Sequence, residues 1–190
     1  PYRPVRGIPL KRARMSFFTE LSRGLNESLR HADIKCETSA LSRFNAKDAW
    51  VVSSAHRDLG LPNIMVDEED DVFFIDPRLH VVSTPGTHGG ARYASPIIDL
   101  AALQVGLVRG ELEIQHQHAD FHLRAKRFVE CAMAELLRSR KTTLFLWKLS
   151  EAVVWAGYAA CRCSQCVDPK RAWLRRLTFT RTRQCLKTLK

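Results

Sequence analysis

Near the start of the chain, apolar residues recur at every fourth position: Phe17, Leu21, Leu25 and Leu29, with Phe18 beside them. That spacing lies close to the 3.6-residue turn of an α-helix and predicts an amphipathic helix with Ser16 as its N-cap. The period then changes. Residues 50–55 form a short apolar run of extended character, and residues 64–66 and 72–75 form two more. The acidic stretch 67–71 between the last two predicts the turn of a β-hairpin. Helical spacing returns over 99–108 and over 118–138, where Phe121, Ala125, Phe128, Ala132 and Leu136 fall near one face. It continues over 144–160 and 171–177. The pattern predicts an α+β chain, mainly helical, with one small hairpin. It reads as a single domain over 1–190 with a loose basic segment at 1–14.

Composition narrows the class. With 190 residues and 45% hydrophobic content, the chain can bury a core. A transmembrane helix needs about 18 uninterrupted apolar residues. The nearest stretch, 142–160, carries Lys148 and Glu151, so it predicts a buried amphipathic helix and no membrane span. Six cysteines without regular spacing point to a reducing, cytoplasmic setting rather than a disulfide scaffold. The net charge of +10 is uneven: residues 1–100 hold 13 Lys/Arg and 13 Asp/Glu, residues 101–190 hold 17 and 7.

The densest chemistry follows the first extended run. His56-Arg57-Asp58-Leu59-Gly60-Leu61-Pro62-Asn63 is a His-x-Asp-x4-Asn loop, and Asp76 stands 18 positions after Asp58 at the end of the hairpin. Phosphoryl transfer from a metal–nucleotide complex calls for this set. One carboxylate, Asp58, accepts or orients the proton of a substrate hydroxyl. An amide oxygen and a second carboxylate, Asn63 and Asp76, suit magnesium, which is bound through oxygen donors. The predicted hairpin returns Asp76 beside Asn63.

This stretch resembles the protein-kinase-like superfamily, and most closely its aminoglycoside phosphotransferase and choline-kinase branch. There the catalytic loop runs His-Gly-Asp-x4-Asn, and the metal-binding Asp follows a short hairpin. Ser95-Pro96-Ile97-Ile98-Asp99-Leu100-Ala101 strengthens the likeness, because a Pro-x-x-Asp-Leu-Ala pattern opens the next helix in that branch. The resemblance covers roughly residues 50 to 108. It implies that the chain is the C-terminal lobe of a kinase-like fold, with the hairpin carrying the catalytic and metal-binding loops. Asp58 would be the catalytic base and Asn63 and Asp76 the magnesium ligands. His56 would support the loop from within, and Asp99 would tie it down through backbone N–H groups. Four positions depart from the pattern: Pro77 and Arg78 after Asp76 replace the Phe and Gly of Asp-Phe-Gly, Gly60 replaces a Lys or His, and Arg57 follows the protein-kinase form.

Such a site also needs a nucleotide clamp: a Gly-rich turn, a strand Lys and a helix Glu. Upstream of residue 50 only Gly7 and Gly24 occur and the pattern is helical, so the N-terminal lobe is expected to be missing. The chain then reads as part of a longer protein, or as a degenerate relative that catalyses poorly alone. The expected function is ATP- and magnesium-dependent transfer of a phosphoryl group to a hydroxyl of a small molecule. The basic C-terminal half favours an acidic or phosphorylated acceptor over a polycationic one. The alternative is a pseudokinase or regulatory binding module. A second alternative is nucleic-acid binding through the basic C-terminal half, where Arg171, Arg175, Arg176, Arg181 and Arg183 interleave with Trp173 and Phe179. With no nucleic-acid fold evident, that stretch reads first as an ordinary terminal helix and tail. Cys161, Cys163 and Cys166 lack a fourth ligand at zinc spacing, so zinc is not expected there.

Overall fold

The computed structural model describes residues 3–4, 10–35, 52–54, 56, 59–60, 63–69, 71–75, 95–113, 119–139, 141–161, 169 and 172–189. In chain order these form β1 (Arg3–Pro4), α1 (Leu10–His31), β2 (Val52–Ser54), β3 (Ile64–Val66), β4 (Val72–Phe74), α2 (Pro96–Glu113), α3 (Ala119–Ser139), α4 (Lys141–Ala160) and a last helix, α5 (Ala172–Thr188). The chain is mainly helical α+β. Two small antiparallel pairs, β1–β2 and β3–β4, complete it. Among the described residues no helix is long and apolar enough to cross a membrane.

Helix α4 is the centre, with α1, α2 and α5 all packed against it. Leu146, Leu149, Ser150, Ala152, Val153, Trp155 and Ala156 are all buried, which covers most of its circumference. This explains an apolar pattern too broad for a surface helix. Helix α1 supplies the predicted stripe Leu21, Leu25 and Leu29, α2 supplies Ile97 and Ile98, and Leu186 and Leu189 close the cluster. Each such side chain, once buried, contributes about 1.5–3 kcal/mol. A second cluster joins α2 to α3 through Leu103, Leu107, Val129 and Met133, and Ile64 of β3 packs against it. The hairpin is thereby attached to the helical body.

Helix α1 ends in a Schellman turn. The Ile34 N–H donates to the Leu29 carbonyl at 2.9 Å and the Asp33 N–H to that of Arg30 at 3.2 Å, with Asp33 left-handed at φ 54°. Leu29 and Ile34, both buried, supply the hydrophobic contact that accompanies this motif.

Several expectations are corrected. Helix α1 starts at Leu10, so Ser16 lies inside it and is not its cap. Residues 10–14 are helical and Arg3–Pro4 pair with Val52–Ser54, so these parts of 1–14 are not loose. Leu, Lys, Arg, Ala and Met at 10–15 are good helix formers and extend the helix beyond its apolar stripe. Among the described side chains of α3, Val129 and Met133 are buried, while Phe128 is 60% exposed. A shift of one position turns a helix face by about 100°. Helix α5 runs to Thr188, well past residue 177, because its buried stripe is Leu174, Thr178, Thr182, Leu186. The two threonine hydroxyls bond back to Leu174 O and Thr178 O, each at 2.8 Å, which lets them be buried.

Candidate active site

The site is built from the start of α2. Ser95 is buried at the helix entry: its carbonyl accepts from the Ile98 N–H at 3.0 Å, and its hydroxyl faces the Ile97 N–H at 3.4 Å. Pro96 opens the helix, where a missing N–H is harmless. Asp99 falls in the first turn and is 0% exposed. The positive end of the helix dipole favours a carboxylate there.

Asp99 does not serve only its own helix. Its Oδ2 accepts the main-chain N–H of His56 at 2.9 Å. The His56 ring reaches the other way, with Nε2 2.6 Å from the Ile75 carbonyl oxygen. A carbonyl can only accept, so Nε2 is the donor in this contact. Nδ1 is buried and has no hydrogen-bond partner among the described residues. The ring also meets Phe74 edge-on, centroids 6.3 Å apart.

The hairpin completes the lacing. Ile64 pairs with Phe74, Met65 with Phe73 and Val66 with Val72. One step further out, the Ile75 N–H donates to the Asn63 carbonyl at 3.0 Å. The Asn63 N–H in turn donates to Gly60 O, also at 3.0 Å. At the far end Asp67 Oδ1 accepts from the N–H groups of Asp71 and Glu69, at 2.8 and 3.1 Å. The acidic tip is thus a turn closed by one carboxylate, with Glu68, Glu69 and Asp71 exposed.

Of the predicted site residues, His56, Asn63 and Asp99 are brought together by this network. Asp58 and Asp76 lie outside the described residues, as do Cys163 and Cys166. Cys161 is exposed just past α4. Among the described residues no group of three or more His, Cys, Asp or Glu gathers as a metal site. Leu59, next to Asp58 in sequence, was missed by sequence reasoning: it is buried. Gly60 meets α2 at Gly106, where an added Cβ would lie 4.0 Å from the Gly60 Cα. Its signal was available, since a leucine and a glycine inside a polar loop suggest a segment lying on a helix.

Met65, Val72, Phe73 and Phe74 are each more than half exposed. Met65 and Phe73 form a cross-strand pair on one face of the hairpin, and Val72 and Phe74 stand on the other. No family model, curated protein or solved structure matches this chain.

Proposed function

We propose that this chain is the catalytic C-terminal lobe of an ATP- and magnesium-dependent phosphotransferase acting on a hydroxyl of a small molecule. The observation that carries the reading is the path Asp99–His56–Ile75–Asn63. It joins the start of the His-x-Asp-x4-Asn loop, its closing Asn, and the residue next to Asp76 by three hydrogen bonds of 2.6 to 3.0 Å. Such a path ties together residues that neighbour Asp58 and Asp76 in sequence, which suits the fixed geometry that in-line transfer requires.

In this reading Asp58 orients the acceptor hydroxyl and takes its proton. Asn63 and Asp76 supply the amide and carboxylate oxygens that suit magnesium, whose charge offsets that of the phosphates. His56 and Asp99 touch no reacting atom; they set the loop's shape. The basic charge of residues 101–190 favours an acidic or phosphorylated acceptor.

The competing reading is a pseudokinase or binding module. The helix α1, packed into the core upstream of the loop, favours it, because no part of a nucleotide clamp is seen among the described residues there. Nucleotide turnover by the full-length protein separates the two. It is measured with magnesium and a panel of hydroxyl acceptors, on wild type, Asp58→Asn and Asp76→Ala. Magnesium-dependent turnover lost in both variants, with nucleotide affinity nearly kept in Asp58→Asn, is the expected result. Wild-type protein that neither binds nor turns over nucleotide overturns the phosphotransferase reading.

A further inference from the structure

Helix α5 carries Arg175, Arg176, Arg181, Arg183 and Lys187 and no acidic residue, and all five are exposed. Its apolar stripe is already turned inward onto α4. Two of the five cations are engaged at home. Arg175 lies over the Phe179 ring, 5.8 Å from its centroid. Arg181 bonds Gln184 at 3.4 Å and acts on Glu151 of α4. Arg176, Arg183 and Lys187 have no partner among the described residues.

These three form one line. Offsets of 7 and 11 residues return to within about 20° of the same direction on a helix, over a length of about 16 Å. Trp173, 36% exposed, stands one turn before Arg176 on the adjoining edge. Guanidinium groups match phosphate oxygens in a bidentate way, and an exposed indole offers a face to an unpaired base. A bilayer fits less well, because an interfacial helix must bury its apolar face in lipid and this one is buried in protein. A duplex hides the base faces that Trp173 would meet.

We propose that the outward face of α5 is a docking stripe for single-stranded nucleic acid, held by Arg176, Arg183 and Lys187 on phosphates and by Trp173 on a base. The inference is independent of the phosphotransferase reading.

The test is fluorescence anisotropy of a labelled 12-residue oligouridine titrated with the chain. Three phosphate contacts to a single strand weaken binding about 15- to 20-fold between 50 and 200 mM salt. Arg176→Glu/Arg183→Glu/Lys187→Glu is expected to reduce affinity more than about tenfold, and Trp173→Ala at least about fivefold. Lys126→Glu/Arg127→Glu, an exposed pair on α3, changes net charge elsewhere and is expected to leave binding unchanged. Circular dichroism confirms that each variant is folded, and the matching glutamine set repeats the test without charge reversal. Equal weakening by the α3 pair reduces the effect to bulk charge and overturns the proposal. So does absence of binding at 50 mM salt. Capture by phosphatidylserine vesicles or polyglutamate without binding of the oligonucleotide also overturns it, in favour of those partners.

Discussion

The main-chain N–H of His56 is held by the carboxylate of Asp99, 43 positions later in the chain and 2.9 Å away. A loop and a helix distant in sequence are joined by a buried, charged acceptor, so the loop's entry direction depends on α2.

Removing that acceptor perturbs the contact. Asp99→Ala leaves the His56 N–H without its partner, at a cost of about 1–3 kcal/mol. Asp99→Asn keeps an oxygen and is expected to lose less. Urea unfolding midpoints of the two variants give the comparison, and equal losses would remove any role for the charge.

His56→Leu deletes the donor to Ile75 O while keeping an apolar side chain against Phe74. The expected loss is about 0.5–1.5 kcal/mol. Faster amide exchange should be confined to the hairpin, read at Ile75 and Asn63. Uniform exchange across α4 as well would instead indicate global destabilisation.

Asp33 occupies a left-handed position that ends α1. Asp33→Gly removes the strain of a Cβ there while keeping both Schellman hydrogen bonds. A gain of about 0.5–1 kcal/mol in thermal or urea unfolding is expected.

Cysteine reactivity should sort by environment. Burial and the neighbouring Glu151 push the Cys185 thiol up from 9.0 to about 11, against the pull of Arg181. At pH 8 its thiolate fraction is about 100-fold below that of an ordinary thiol. Mass mapping after brief iodoacetamide treatment should find the exposed Cys131 and Cys161 modified ahead of Cys185. A raised thiol pKa also means stability that is full below pH 9 and falls as pH rises toward 11.

Glu151 carries the same sign at lower pH. Burial raises its carboxyl above 4.5, while Arg181 and the Trp147 hydrogen bond pull it back. Its stabilising contribution is therefore complete below pH 4.5 and is lost as pH rises through the higher folded-state value. Glu151→Gln removes the ionised form at neutral pH. It should raise Tm at pH 7, with the gap closing below pH 4.5. A variant less stable at pH 7 would show that the Arg181 attraction dominates.

The sequence made the helical body legible where one residue type carried the pattern. Leu21, Leu25 and Leu29 announced α1, and the hairpin followed from two apolar runs around an acidic turn. It was less legible where polar residues are buried. Thr178 and Thr182 hide the stripe of α5 because their hydroxyls are satisfied within the helix, a contact no apolar count detects. In α3 the large Phe128 suggested the core face, yet Val129 and Met133 point inward. At the candidate site, residue types alone gave the partnership of Asp99 with the loop through a resemblance. They gave no sign that the His56 ring would fasten the hairpin through a main-chain carbonyl.

The position of α4 also bears on how the protein is made. Helix α1 rests on α4, whose core residues are translated some 120 positions later. At about 5–20 residues per second, the ribosome needs roughly 6–24 s to deliver them. During that interval Leu21, Leu25 and Leu29 have emerged without the surface that covers them. Holding chaperones should therefore engage the nascent α1 segment and release it once α4 is complete.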